Sequence, residues 1–395
     1  MRRKHLYQAL RLAYRVAKKI YFHIMPRLAI FLAGRPNPRL ILFDSPDYND
    51  NGKALSDYIG AHMPGYKIVW IADRPRKIKG IKFVRRTYAL GKRLKYAYSL
   101  QAMYYARKAK YVFYTHDFAW APPKHPAQII VNLWHGTGFK AARTIGAENI
   151  FDYMLVPGEV FIASKAKYYQ CPPEKIIPIG YPRYDLFKSP PPQKLFTGKV
   201  IIWLPTFVND MDLLQYHNPL PYIFSGMPLI ENLNMLQDLD RTCREHDITL
   251  IIKKHRFRYS DVPMSKYAHS LTHIKILSDT EFKAHGLELY QLLPHTHGLI
   301  TDFSSVSVDY LLLNKPIAYT LADMEDYKNT RGFVFDDPKK YMPGAHVYNL
   351  EDLKDFIKNI HNHCHQQARQ SLMPVMHNPT ENYSKRVAEF IIGKD

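Results

Sequence analysis

The sequence predicts two doubly wound α/β domains facing each other across a cleft, and three observations predict it. At 395 residues the chain is longer than one core usually organises. Short apolar, β-prone runs alternate with helical stretches along nearly its whole length. The alternation breaks clearly once, at Ser189-Pro-Pro-Pro-Gln-Lys194, where three consecutive prolines make a stiff, extended spacer, and then it restarts.

Taken in order, residues 5–33 read as a helix. His5, Leu6, Ala9, Leu10, Ala13, Val16, Ala17 and Ile20 recur near helical spacing, with cations between them. The run Ile24–Ala33 is apolar, but Pro26 and Arg27 interrupt it. It falls short of the about 20 apolar residues that a spanning helix needs. No small-residue cleavage site follows, so a cleavable signal is not expected. A basic amphipathic helix lying in an anionic membrane surface fits better, with Arg2, Arg3, Lys4, Arg11, Arg15, Lys18 and Lys19 as its contacts. The alternative is a helix docked on the neighbouring domain.

Arg39–Asp44 and Tyr66–Ala72 read as buried parallel strands, with a crossover helix from about Asn51 to His62. Ala89–Lys108 reads as helical, with tyrosines among its cations. Strands are expected at Tyr111–Thr115, Gln128–Leu133, Phe151–Val156 and Ile176–Ile179, and a helix at Glu159–Tyr169. After the spacer come strands at Lys199–Leu204, Ile248–Lys253, Ile274–Leu277, Gly298–Asp302 and Pro316–Tyr319. Helices are expected near Leu229–His246, Glu288–Leu293 and Ser305–Leu312. The expected domains are 1–35 (the basic helix), 36–190, 195–375, and 376–395, whose final helix Glu381–Ile392 returns to the first domain.

The net charge of +20 is segregated. Residues 1–35 carry nine Lys/Arg and no acid, and residues 74–110 carry thirteen and no acid. Residues 111–395 balance at thirty of each sign, so the whole excess lies in the first 110 residues. Such a block meets a polyanion: nucleic acid, an anionic membrane or a phosphate-rich acceptor. Cys171, Cys243 and Cys364 have neither metal nor redox spacing and fit a reducing compartment.

Four clusters fall at strand ends, where open α/β folds keep their ligands. The first is Trp134-His-Gly-Thr137. A neutral imidazole at His135 can take a proton from a hydroxyl. Gly136 and Thr137 lie beside it, and Gly136 and Gly138 let backbone N–H groups approach an anion. The second is Gly180-Tyr-Pro-Arg-Tyr-Asp185, where Arg183 can grip a phosphate in two-pronged fashion. The third, Lys253-Lys-His-Arg256, ends a very apolar strand in basic groups; His255 is the one expected to hydrogen-bond a phosphate oxygen. In the fourth, Thr301-Asp-Phe-Ser-Ser305, a strand ends at Asp302 and Ser304 or Ser305 caps the next helix, whose start suits a phosphate. Each has a structural alternative: a satisfied core histidine, an Arg–Asp surface turn, a solvated charge run, a plain cap.

Two doubly wound domains on a short linker describe the GT-B architecture of nucleotide-sugar transferases. The four clusters, in this order, resemble the CDP-glycerol glycerophosphotransferase family, the teichoic-acid primases and polymerases. That family's pattern runs W-H-G-T-P-x-K, G-Y-P-R-x-D, K-x-H-P, T-D-Y-S-S, then K-P and R-G-F-x-F-D. Here it meets Trp134–Lys140, Gly180–Asp185, Lys253–Arg256, Thr301–Ser305, Lys315-Pro316 and Arg331-Gly-Phe-Val-Phe-Asp336. Pro343-Gly344 and Val347-Tyr-Asn349 continue it, and the resemblance covers about residues 128–392. Two departures stand out: Gly138-Phe139 replaces Pro-x, and Arg256 replaces the proline after His255.

The resemblance implies that His135 deprotonates an acceptor hydroxyl and that His255 is a second essential histidine near the donor's pyrophosphate. It implies that Asp302, Ser304 and Ser305 hold a CDP moiety and that Arg183 and Asp185 sit at the interdomain cleft. Lys253, Arg256, Gly136 and Thr137 join the expected donor-binding set. No bound metal or cofactor is expected, and CDP-glycerol or another CDP-alditol is the donor. The expected reaction moves glycerol phosphate, or a related alditol phosphate, to a hydroxyl of a lipid-linked or polymeric, phosphate-rich acceptor, for teichoic-acid-like or capsular polymer synthesis. The expected place is the cytoplasmic face of the cell membrane, peripherally bound. A GT-B glycosyltransferase using a nucleotide sugar is the alternative. Nucleic-acid binding through the basic block is a further one, but it leaves the four clusters unexplained.

Overall fold

The computed structural model describes residues 23–90, 94–141, 150–190, 198–205, 228–253, 270–378 and 381–393. Arg2, Arg3, Lys4, Arg11, Arg15, Lys18, Lys19, His255, Arg256 and most of the proline spacer lie outside the described residues.

Two parallel sheets form the frame, the predicted α/β, GT-B-like arrangement. The first is built from β1 (Asn37–Asp44), β2 (Lys67–Ala72), β3 (Ile81–Arg85), β6 (Ala109–Tyr114), β7 (Ile129–Asn132), β8 (Tyr153–Leu155) and β9 (Ile176–Ile177). Its order is β3-β2-β1-β6-β7-β8-β9. The second is built from β10 (Lys199–Leu204), β11 (Ile248–Lys253), β12 (Ile274–Leu277), β13 (Gly298–Thr301), β14 (Ile317–Thr320) and β15 (Ala345–Val347), in the order β12-β11-β10-β13-β14-β15. Both sheets switch direction of winding in the middle, between β1 and β6 and between β10 and β13. Ligands of open α/β sheets bind outside such points, at the carboxyl ends of the strands.

Alternation along the strands explains why both faces are covered. Leu40, Leu42, Val69, Ile71 and Val112 enter one buried cluster, while Ile41, Phe43, Ile68, Trp70 and Phe113 enter another. Strands that are apolar on both faces are what a buried parallel sheet requires. The first of these clusters does not stop at the domain. It runs through Phe139 to Tyr319, Phe303 and Met376, so a continuous apolar core joins the two sheets.

The described helices are α1 (23–33), α2 (Asp50–His62), α3 (Leu100–Lys108), α4 (Ile162–Tyr169), α5 (Leu233–Glu245), α6 (Asp279–Ala284), α7 (Leu289–Leu292), α8 (Val306–Tyr310), α9 (Met324–Thr330), α10 (Leu350–Lys358), α11 (Gln366–Met376) and α12 (Tyr383–Ile392). The single helical stretch expected over 89–108 is corrected. Its first part belongs to an antiparallel hairpin of β4 (Thr87–Leu90) and β5 (Leu94–Tyr98), and only Leu100–Lys108 is helical. β-branched and aromatic residues favour strands, and Ser99 marks the boundary by accepting the Ala102 N–H at 2.9 Å as an N-cap.

The chain end packs on the first domain. Tyr383, Val387, Ala388, Ile391 and Ile392 of α12 are buried with Ile41, Leu55 and Trp70. Helix α1 rests on the same domain through Ala29 and Ala33, while Ile24, Leu28, Phe31 and Leu32 are exposed on it. Among the described residues no helix is long and apolar enough to cross a membrane. All three cysteines are free thiols.

Candidate active site

The turn after β7 is held by two asparagines. Asn132 accepts the Trp134 N–H on its side-chain oxygen at 2.9 Å. Asn51, fully buried in the first turn of α2, donates to the carbonyls of Leu133 (3.1 Å) and Trp134 (3.0 Å). These bonds stabilise a left-handed Trp134, φ 56°, a conformation that a bulky residue adopts only when its surroundings impose it. The turn sets His135 at the end of the first sheet.

The His135 ring is tied by Nδ1 to the carbonyl of Thr115 at 2.9 Å. A carbonyl only accepts, so Nδ1 carries the hydrogen and Nε2 keeps its lone pair. The residue is open to solvent, yet protein atoms crowd round the ring. Burial therefore lowers its pKa below the ordinary imidazole value, opposed by the Thr115 bond and Asp50 and reinforced by Lys165 and Arg183. His116 stacks on it, ring centroids 4.4 Å apart and 13° from parallel. Trp134 flanks it at 4.2 Å. Lys165 of α4 places its ammonium 4.5 Å from the Trp134 ring centre, and burial lowers its pKa to about 8.

The next residues leave the first domain for the second. Gly136 has φ +143°, and a Cβ there would collide with Ser305 Oγ. Thr137 is buried and shares a 2.6 Å hydrogen bond with the Tyr181 hydroxyl. Gly138 lies against the Ser305 backbone. Phe139 is fully buried; its carbonyl accepts the Val334 N–H at 2.8 Å, and the Ala141 N–H donates to Gly332 at 3.1 Å. The Arg331–Asp336 motif is thus the backbone partner of the histidine turn.

Arg183 corrects its expected role. Its guanidinium is fully buried and bonds Asp50 (2.9 Å), Asp309 (2.6 Å) and the His135 carbonyl (3.0 Å). Asp309 also accepts the Tyr184 and Tyr290 hydroxyls, each at 2.5 Å. Burial raises the Asp309 pKa against the pull of Arg183 and the two phenols. The two carboxylates hold Arg183 firmly as a cation. Both of its terminal nitrogens are therefore engaged within the protein, so it pins the domains together instead of gripping a phosphate. Asp185 likewise serves structure: its oxygens accept the N–H groups of Tyr383 (2.8 Å) and Ser384 (2.7 Å), closing the start of α12.

The fourth cluster lies across the seam. Asp302 is buried at the end of β13. Ser304 accepts the Ser307 hydroxyl on its carbonyl at 2.8 Å. Ser305 stands at the N-cap position of α8, but its hydroxyl makes no cap bond, which corrects the expected capping role; that side chain packs on Gly136 instead. Lys253 ends β11 and pairs with Asp279 at 3.1 Å, which also pairs with Lys283 at 2.9 Å. Together with Tyr48, Asp50, Arg76 and Tyr290 these side chains line a cleft of about 450 Å³ between the domains. A more open cavity of about 580 Å³, lined by Lys339, Pro343, His346, His365 and Leu372 among others, draws on second-domain residues alone. Among the described residues no three His, Cys, Asp or Glu side chains group as a metal site.

The structure thus joins His135, Gly136, Thr137, Arg183 and Ser305 in one seam, while Lys253 lines the cleft with Asp50 and Tyr290, a lining that does not include these five. The sequence reading missed Asn51, Thr115, His116, Lys165 and Asp309. Thr115-His116 follows a strand end just as His135 does, and Asp309 is an acid within an apolar helical run; both are signals readable in the sequence.

A family model described as CDP-Glycerol:Poly(glycerophosphate) glycerophosphotransferase matches residues 27–392. The teichoic acid glycerol-phosphate transferase of Staphylococcus aureus is 24% identical over 379 residues, 87% of this chain and 89% of its own. The teichoic acid ribitol-phosphate primase of Bacillus spizizenii is 24% identical over 293 residues, 68% and 70% of the two chains. This chain spans about half the length of longer relatives such as the ribitol-phosphate polymerase TarK of Staphylococcus aureus, 26% identical over 65% of this chain and 51% of its own. In fold it is similar to a variant of the wall teichoic acid polymerase TagF, with a TM-score of 0.73 at 18% identity over 99% of this chain and 97% of that one.

Proposed function

The chain belongs to the CDP-glycerol:poly(glycerophosphate) glycerophosphotransferase family, and on that premise we propose that it transfers an alditol phosphate from a CDP-alditol, CDP-glycerol first among them, to a hydroxyl of a teichoic-acid-type acceptor. One observation carries the reading. The Thr115 carbonyl fixes the His135 tautomer at 2.9 Å, leaving an unprotonated Nε2 at the carboxyl end of a parallel sheet.

In this reaction the acceptor hydroxyl gives its proton to His135 Nε2. Its oxygen bonds to the β-phosphorus, the bond from that phosphorus to the bridging oxygen breaks, and CMP leaves with that oxygen. Such transfer depends on positioning and on charge stabilisation more than on covalent chemistry. Lys253 and Arg76 bring positive charge to the cleft. Asp302, Ser304, Ser305, His255 and Arg256 complete the proposed donor side. Arg183 acts by holding the domains in register, and Asp185 by securing the start of α12 on the first domain. The reading assigns no bound metal or cofactor.

The acceptor is read as membrane-borne and the enzyme as peripheral at the cytoplasmic face. Ile24, Leu28, Phe31 and Leu32 support this, an exposed apolar stripe at helical spacing on α1 with Arg27 beside it. Incubation with CDP-glycerol, CDP-ribitol, UDP-glucose and a lipid-linked acceptor, with nucleotide release and product length measured together, tests the reading. CMP released only when a CDP-alditol and acceptor are both present supports it. UDP release with sugar transfer, and no CMP, overturns it in favour of a nucleotide-sugar glycosyltransferase.

A further inference from the structure

We propose that Lys165 anchors an anionic group of the acceptor, the phosphate carried on the same polyol unit as the attacking hydroxyl, beside His135. The inference rests on the transfer reading above and adds to it a subsite and the ligand chemistry that fills it.

Lys165 projects from α4 of the first domain, on the same side of the seam as His135. Its ammonium is 4.5 Å from the Trp134 ring centre, and that ring is 4.2 Å from the imidazole of His135. Those two legs bound the distance from ammonium to imidazole at about 9 Å. A polyol phosphate of three to five carbons bridges such a gap, with its hydroxyl at Nε2 and its phosphate at the ammonium.

Trp134 offers its π face to the ammonium, a contact that leaves N–H donors available to a ligand. Among the described residues no carboxylate lies within ion-pair range of Lys165, in contrast to Arg183 with its two. An enclosed ammonium without a counter-anion is costly, and a bound phosphate offsets that cost with charge-assisted hydrogen bonds.

The groups facing His135 are Asp50, Lys165, Arg183, the stacked His116 ring and the Thr115 carbonyl. Of these, the Lys165 and Arg183 charges both weaken its basicity, and Arg183 already has Asp50 and Asp309 as counter-charges. An acceptor phosphate on Lys165 screens the lysine charge, so His135 becomes a stronger base when the acceptor is in place.

The test uses the full chain and Lys165→Met and Lys165→Arg variants. Without donor, tryptophan fluorescence is titrated with sn-glycerol 3-phosphate, inorganic phosphate and glycerol, with Trp134→Phe to identify the responding indole. Expected is a saturable change with both phosphates and none with glycerol, lost in Trp134→Phe, weakened about tenfold or more in Lys165→Met and largely kept in Lys165→Arg. With CDP-glycerol and an oligo(glycerol phosphate) acceptor, Lys165→Met raises the acceptor KM by about tenfold while the donor KM stays within about twofold. Equal titrations and equal acceptor KM in wild type and Lys165→Met overturn the proposal. If the wild type releases no CMP with any acceptor, the transfer reading fails by itself, and the titration still decides whether Lys165 holds a phosphate.

Discussion

Gly138 rests on the backbone of Ser305: a Cβ on Gly138 would come within 2.8 Å of the Ser305 α-carbon and 3.1 Å of its nitrogen. The residue next to the histidine turn is therefore a point of tight backbone contact between the domains. The departure from proline at this position has a steric reason, because a proline would carry its Cβ into the Ser305 backbone.

Gly138→Ala is expected to push the seam open and lower kcat/KM by about tenfold or more, since misplacements of this size are costly to catalysis. Ser305→Gly is expected not to rescue it, because the clash is with backbone. Steady-state CMP release in the single and double variants checks this, and full rescue would place the contact on the Ser305 side chain instead.

Arg183→Met is expected to cost about 3–5 kcal/mol of stability, the usual penalty for stranding a buried carboxylate. Asp309 would lose its charge partner in the core. Arg183→Lys is expected to fall well short of wild type, since one ammonium cannot span Asp50, Asp309 and the His135 carbonyl. Denaturant unfolding of both variants measures the two costs. A loss below about 1 kcal/mol in Arg183→Met, the size of an exposed pair, would deny the pin.

The acid limb of kcat/KM is expected below the ordinary imidazole pKa of 6.5. Burial lowers the His135 pKa, and the base works in its neutral form, so activity persists to lower pH than an exposed histidine allows. A pH–rate profile on the free enzyme's parameter checks this, and an acid limb at or above about pH 7 contradicts it.

His377 gives the fold its own pH dependence. It is buried, bonds the Val308 carbonyl at 2.7 Å and has its pKa lowered from 6.5 to about 4 by burial. With the folded value depressed, its contribution is complete above pH 6.5 and is lost as pH falls toward 4. The loss amounts to about 3 kcal/mol across that window. Denaturant unfolding at pH 7 and pH 4.5 is expected to show it, with a shallower slope in His377→Gln. The same slope in both proteins would assign the acid sensitivity to other groups.

Much of this was legible in the sequence where local chemistry decides the outcome. The runs Lys199–Leu204 and Ile248–Lys253 became strands with those bounds, because an apolar β-branched run between breakers has few alternatives. Residues 89–98 were misread because tyrosines spaced among lysines suit a helix face and a hairpin alike. Arg183 was misread for a different reason. A two-pronged cation is the same in sequence whether its carboxylates come from a ligand or, like Asp50 and Asp309, from 133 and 126 residues away. Lys165 gave no local signal at all, because its significance lies only in facing Trp134.

The central claim is that His135 takes the acceptor's proton, and His135→Asn in the full chain tests it most directly. The side chain is open to solvent, so the variant is expected to keep the wild-type melting temperature. CMP release from CDP-glycerol with acceptor is expected to fall by about a hundredfold or more, the scale of general-base catalysis. A folded variant that keeps release above about a tenth of wild type would contradict the assignment.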